Sequence, residues 1–448
     1  MSPIKMEGMS VDVVEHGLEE GEQTMTPEKV FWSHFSPNLG PACWVIGVLV
    51  VVIGLDFWWG LAAIALGNIL GSLPVALSGL MGPKTGLTQM EVSRFSFGKM
   101  GTRVPSFLNW VCCVGWDAVN NVPSTVALIA LVAMIGIQVP FWLMLGVLVI
   151  IQMIIGVYGH HLVQQIEKYL GYFLLVVFAI VGVMAVVKGG SVAVAAKPVT
   201  LSAFILGTAI VASYNLSWAP YSSDYTRYLP KDTPEKGIFW RSFLGLLFSG
   251  VAIEFFGLMT AATVADPTPA AVIKSIQSLT GGFAPIALLA VGISAIAVNA
   301  INDNTAAYSL ISAGIRLSRP ASAIVTAVLS YTMAVYGSGK FAALYENYLL
   351  VILYWVSPWV AIVLTHWYLT HKTAHPAYPF GWTKAATIFC VVTILTIFLF
   401  SSTPTYTGPI AKLLDGADIG YFVGFIVAAV WYGAVLRAKP TQAEAPNL

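Results

Sequence analysis

The chain has 448 residues, of which 57% are hydrophobic and only 10% charged, and its mean hydropathy is +0.80. Soluble domains carry about 25% charged residues, so lipid must be the solvent for much of this surface. The net charge of +1 says nothing about partners, and no basic run points to nucleic acid, so no nucleic-acid partner is expected. No P-loop, nucleophile elbow or HExxH is present, so neither an ATP-driven pump nor an enzyme is expected.

Residues 1–26 are acidic and polar and lack the apolar core of a cleavable signal peptide. They are expected to form a disordered cytoplasmic tail. Thr26-Pro27 then opens the first helix, since Thr caps well and Pro suits the first helical position. A spanning helix needs about 20 apolar residues. Twelve stretches qualify, roughly 28–55, 57–82, 104–136, 140–158, 167–187, 201–223, 237–263, 283–315, 319–337, 342–371, 384–402 and 418–437. Residues 438–448 form a second cytoplasmic tail. The four cysteines, Cys43, Cys112, Cys113 and Cys390, all fall inside apolar stretches, as small buried hydrophobes do.

The first stretch is interrupted by Pro37-Asn38-Leu39-Gly40-Pro41 and the sixth by Asn215-Leu216-Ser217-Trp218-Ala219-Pro220. A lipid-facing backbone cannot leave its N–H and C=O groups unpaired, so broken helices survive only where they line a protected polar cavity. Two such breaks five stretches apart point to a transporter site at the membrane midplane.

The third stretch reads FLNWVCCVGWDAVNN. Asn109, Cys113, Trp116 and Asn120 share one helical face, with Asp117 and Asn121 on the adjacent face. Gly115 allows a ligand or a neighbouring helix to come close. In the sixth stretch, Tyr214, Asn215, Ser217 and Ser222 surround Pro220, and Asp224 and Arg227 mark an ion pair or cap at a gate. Glu254 in the seventh is an isolated acid, either a proton carrier or a structural partner. In the eighth, Asn299, Asn302 and Asp303 lie on one face, and a carboxylate there is costly unless it works.

With the N-terminus inside, only Lys188, Lys197, Lys274, Lys340 and Lys412 of the 22 Lys and Arg fall outside. The positive-inside rule therefore supports twelve spans with both ends in the cytoplasm. Stretches one to five (about 27–187) and six to ten (about 201–371) read as two copies. Five is odd, so the second copy is inverted, and residues about 384–437 add two further helices.

The loop GPKTGLTQMEVSRFSFGKMG, VGWDAVN around Trp116, SWAPYSSDYTRYLP and the NDN from Asn302 to Asn304 together resemble the nucleobase–cation symport family, in its purine–cytosine permease branch. The resemblance spans about 28–437. It implies an all-α leucine-transporter-type fold and cation-driven uptake of a flat heterocycle held between aromatics on helices three and six. It places Trp116 as the helix-three ring, with Cys113 and Asn120 as polar neighbours. On helix six it places Asn215 and Ser217, with Tyr214 or Trp218 supplying the ring. Asn302 joins Asn120 and Asn215 as a reader of base edges, because an amide matches adjacent donor and acceptor atoms. For sodium, the resemblance implies carbonyls of the first break, from Asn38, Gly40 and Ala42, together with helix-eight hydroxyls. Val298-Asn299-Ala300-Ile301 lacks such a hydroxyl, leaving Asn299 as an oxygen donor for Na+, or Asp303, Asp117 and Glu254 as proton carriers.

The sequence thus reads as an importer of a purine or cytosine-like base in the cell membrane, driven by H+ or Na+ and needing no cofactor. A carrier of allantoin, a hydantoin, a thiamine precursor or a pyridoxine-like vitamin is the alternative. A channel or nutrient sensor is a remote one.

Overall fold

The structure, a computed structural model, describes residues 17–18, 20–158, 160–188, 198–264, 267–370 and 378–438. Most of the two expected tails lies outside these residues. The described part of the first tail is docked rather than free. Leu18 N–H donates to Gly86 O at 3.0 Å, Gln23 Nε2 to Pro83 O and Arg227 O, and Met25 N–H to Tyr228 O at 2.8 Å. The reason is apolar: Met25 joins Val30, Leu80, Leu229 and Ile238 in a small cluster.

The described chain is helical, with one isolated bridge between Ser402 and Thr407 as its only strand-like pairing. The main helices are α1 (Pro27–Phe35), α2 (Pro41–Val52), α3 (Phe57–Ser78), α4 (Arg94–Ala133), α5 (Phe141–Tyr158), α6 (His160–Lys188) and α7 (Leu201–Leu216). They continue as α8 (Ser222–Thr226), α9 (Glu235–Thr260), α10 (Pro269–Thr280), α11 (Ala284–Ser312), α12 (Arg319–Gly337), α13 (Phe341–Leu369), α14 (Lys384–Phe400) and α15 (Gly420–Arg437). Side chains cap their starts by accepting a backbone N–H: Asp56 from Trp59, Thr200 from Ala203, Ser318 from Ala321 and Thr383 from Ala386. Gly98 (φ 72°, ψ 166°) takes a left-handed conformation that breaks α4 near its start.

Among the described residues, eight helical stretches are long and apolar enough to cross a membrane, or nine if the bent pair Pro27–Asn38 and Pro41–Val52 is one span. Phe141–Ile155 and Lys384–Phe400 are shorter apolar helices. The two breaks differ. The first bends the chain by 60°, whereas Leu201–Thr226 runs on as one stretch through a short turn at Ala219–Tyr221.

Around the breaks, α4 packs most extensively on α11, α3 on α7, and α9 on α1, α2 and α3. The contact of α2 with α9 has almost no side chain between backbones. A Cβ on Gly257 would lie 3.0 Å from the Gly47 Cα and from the Trp44 carbonyl carbon. Small residues allow this approach in membrane helices. α14 and α15 pack on each other and on α13.

Candidate functional site

The break after α7 faces the middle of α4 and α11. Between them is a cavity lined by Trp116 and Asn120 from α4, Tyr214, Ser217, Trp218 and Tyr221 from the break, and Val298 and Asn302 from α11. Its free space is about 10 Å³, the room for about one water. Trp116 meets Tyr214, Tyr345 and Tyr348 nearly at right angles, at ring-centroid distances of 5.5, 6.3 and 5.2 Å. Trp218 and Tyr221 are 5.4 Å apart. A flat apolar slot walled by rings is suited to a planar guest.

The polar lining is incompletely paired. Asn302 and Asp117 face each other across α4 and α11, but neither Asn302 Nδ2 nor Asp117 Oδ1 makes a hydrogen bond of normal geometry. Asn120 gives Nδ2 to Asn299 Oδ1 at 3.0 Å, which leaves its carbonyl oxygen available. The Ser217 hydroxyl donates to Tyr214 O at 2.7 Å and so supports the broken turn itself. Asp303 is half-buried on α11 and interacts electrostatically with Asp117.

Two residues expected at the ligand, Asn215 and Cys113, are not at the cavity wall, nor is Asn299, the expected oxygen donor to the cation. Asn215 points the other way, donating to Asn68 Oδ1 at 2.7 Å and Ser72 Oγ at 3.0 Å on α3. Helix α7 continues through Leu216, so Tyr214 and Asn215 face about 100° apart. Cys113 reaches the wall only through Tyr221, whose hydroxyl is 3.2 Å from its sulfur. Asn299 is committed to an amide ladder, its Nδ2 lying 3.1 Å from Asn121 Oδ1, 3.3 Å from Gln152 Oε1 and 3.3 Å from Asp117 O. Gly115 makes room for a neighbouring helix rather than for a ligand: Tyr348 packs on it and donates to Cys112 O at 2.5 Å. Tyr221, Val298, Tyr345 and Tyr348 escape the sequence reading. The Tyr345–Tyr348 spacing of three on α13 was the available signal.

At the first break, Asn38 Nδ2 donates to Ser249 Oγ at 3.0 Å, and Tyr345 donates to Ala42 O at 3.2 Å. Ala42 O is therefore already engaged. Sequence reasoning sought a helix-eight hydroxyl just before the NDN and found none. The structure brings Ser294, more than a turn earlier, to this place. A Cβ on Gly40 would meet Ser294 Oγ at 3.6 Å, and that hydroxyl donates to Val291 O, leaving its oxygen as a possible ligand. No group of three or more His, Cys, Asp or Glu forms a metal-binding cluster among the described residues.

Glu254 sits apart from the cavity, between α2, α3 and α7. Asn68 Nδ2 donates to its Oε2 at 2.6 Å, and Cys43 sulfur lies 3.9 Å from Oε1. At the far end of the second break, Asp224 acts as a cap: Gln89 N–H and Thr305 Oγ1 each donate to it at 2.8 Å. Arg227 instead donates to Tyr228 and Tyr308 at 3.1 and 3.0 Å, with its guanidinium over both rings. A larger groove of about 680 Å³ lies elsewhere, between α1 and α9, and includes Phe31, Trp32, Lys236, Trp240 and Arg241.

Residues 18–424 match the family described as permease for cytosine/purines, uracil, thiamine, allantoin. The chain is 27% identical to a putative purine-cytosine permease of Bacillus subtilis over 97% of each chain. It is 26% identical to the purine-cytosine permease fcyB of Emericella nidulans over 94% of this chain and 88% of that one. Among solved structures it superposes on Mhp1, a nucleobase-cation-symport-1 family transporter in a closed conformation with bromovinylhydantoin bound, with a TM-score of 0.78. That match covers 96% of both chains at 15% identity. A Na+-coupled sialic acid symporter gives a TM-score of 0.59 at 12% identity, over 95% of this chain and 92% of that one. The fold is thus the Mhp1-like transporter fold.

Proposed function

The chain belongs to the family of permeases for cytosine/purines, uracil, thiamine and allantoin, and from that premise we propose that it imports a purine or cytosine-like base by symport with H+ or Na+. The observation that carries this reading is the ring-walled slot between α4, the α7 break and α11, with the amides of Asn120 and Asn302 at its wall. Stacking on an aromatic contributes about 1–3 kcal/mol per base, and amides suit the donor and acceptor edge of a base. Trp116 and Trp218 or Tyr214 hold the ring, Asn120 and Asn302 read its edge, and Ser217 keeps the break in shape. The slot as it stands is too small for a base, so entry and release require its walls to part, as alternating access does.

The same reading includes twelve spans in the cell membrane, both ends cytoplasmic, with two inverted five-helix repeats. The packing supports the repeats. Exchanging each helix for the one five spans later turns the pair α3–α7 into α9–α2, α4–α12 into α11–α5, α6–α11 into α13–α4, and α6–α9 into α13–α3, and all eight contacts exist.

Allantoin, a hydantoin, a thiamine precursor or a pyridoxine-like vitamin would fit the same slot. A vitamin B6 transporter of Saccharomyces cerevisiae is 24% identical over 68% of this chain and 56% of that one. Thermal-shift measurement of the purified protein against purines, pyrimidines and these heterocycles separates the readings. Stabilisation by adenine, guanine, hypoxanthine or cytosine is expected. Stabilisation by a vitamin or hydantoin alone would replace the base by that ligand.

A further inference from the structure

We propose that the coupling ion is a proton and that it binds the Glu254 carboxylate, at a node separate from the slot. The proposal deepens the symport reading above and rests on it.

Glu254 is fully buried in the last third of α9. Asn68 Nδ2 donates to its Oε2, and Asn68 Oδ1 in turn accepts from Asn215 Nδ2. The titratable groups facing it are Cys43 on α2, Tyr214 on α7 and Tyr345 on α13. None is cationic, and no Lys, Arg or His pairs with Glu254 among the described residues. A charge buried in a membrane bundle without an opposite charge is costly, whereas the protonated acid is neutral.

A metal cation has no space at this node. Gly250 packs directly on the Asn68 amide and Gly47 on the Glu254 carbonyl, and every Asn68 polar atom is already paired. A proton needs no space. The node also touches what must move: Cys43 and Gly47 lie on α2 just after the first break, and Asn215 adjoins Tyr214, which walls the slot. The Glu254 node and the slot therefore share α7, where Asn215 faces the node and Tyr214 faces the slot. The balance is one proton. An O–H bond forms on Glu254 with a proton from the outer solution and breaks to water on the cytoplasmic side, with nothing oxidised or reduced.

The test is uptake into proteoliposomes of a base selected by the thermal-shift panel, under imposed pH and Na+ gradients. Wild-type protein is expected to accumulate the base under an inward proton gradient without Na+. Glu254→Gln, which imitates the protonated acid, is expected to lower that accumulation by about ten- to a hundredfold, and the exchange that remains no longer varies with pH. Gradient-driven accumulation at the wild-type level in Glu254→Gln overturns the proposal. So does wild-type uptake that requires Na+ and ignores the proton gradient. If no base binds wild-type protein, the substrate reading fails instead. Should Glu254→Gln not fold, Asn68→Ala decides. It removes the donor that favours the charged carboxylate, so the pH midpoint of uptake moves up by about half to one unit. An unmoved midpoint in Asn68→Ala also overturns the proposal.

Discussion

Two buried polar regions flank the second helix break, one beside free space and the other close-packed. On the α4–α11 face Asn302 and Asp117 face each other beside a cavity, with no hydrogen bond of normal geometry at Asn302 Nδ2 or Asp117 Oδ1. The node of α2, α3, α7 and α9 links Glu254, Asn68, Asn215 and Ser72 by hydrogen bonds in close-packed surroundings and leaves Asn215 Oδ1 without a partner. An unsatisfied buried polar atom costs about 1–3 kcal/mol, so a fold keeps one where a ligand completes it. A close-packed network ties helices together and responds to a change of charge. Polar groups beside free space mark the place for the base, and a close-packed network around a lone acid marks the place for the proton.

The sharpest way to break the contrast is to remove the close packing of the node. Gly47→Val places a Cβ 2.7 Å from Leu258 N and against the Glu254 carbonyl, and backbone atoms cannot rotate aside. Overpacking costs about 1–3 kcal/mol even where side chains can adjust. The expected outcome is loss of monodisperse folded protein, read by fluorescence-detected size-exclusion chromatography of the membrane extract. Normal yield of Gly47→Val would mean the node is looser than described.

The next effect in size belongs to the slot. Trp116→Ala removes the ring that faces Tyr214, Tyr345 and Tyr348. At about 1–3 kcal/mol per stacked base, the Kd for the transported base should rise roughly five- to a hundredfold. Trp116→Phe should recover most of it, since a ring returns. Equal affinity in wild type and Trp116→Ala would remove stacking from the account.

Much of this arrangement is legible in the sequence because its signals are local. Pro37-Asn38-Leu39-Gly40-Pro41 and Asn215-Leu216-Ser217-Trp218-Ala219-Pro220 announce breaks by chemistry at the break itself, and the chain bends or unwinds at both, at the second only after Leu216. The face holding Trp116 and Asn120 follows from helical spacing, and both residues line the cavity. What is not legible depends on phase or on distant partners. Asn215 and Tyr214 are neighbours in sequence, and only the last turn of α7 decides which one faces the slot. Asn68 sits in an ordinary apolar helix and gains its meaning from Glu254, 186 residues later. Ser294 gains its place from Gly40, on a helix that no local pattern brings beside it.

The smallest effects sharpen the contrast most finely, because two asparagines on one helix should fail in different ways. Asn302 Nδ2 faces Asp117 without a hydrogen bond of normal geometry, so Asn302→Ala deletes little protein hydrogen bonding and removes a buried polar group. Asn299 accepts from Asn120 and donates into the Asn121–Gln152 cluster, so Asn299→Ala leaves several buried partners unsatisfied. Asn302→Ala should keep the ligand-free melting temperature or raise it, and weaken base binding by about 1–3 kcal/mol. Asn299→Ala should lower the ligand-free stability by about 1–3 kcal/mol, with a smaller loss of affinity reaching the slot through Asn120. Thermal melts with and without ligand measure both quantities on the same samples. If Asn302→Ala loses stability and Asn299→Ala loses only affinity, the ladder and the reader have been assigned the wrong way round.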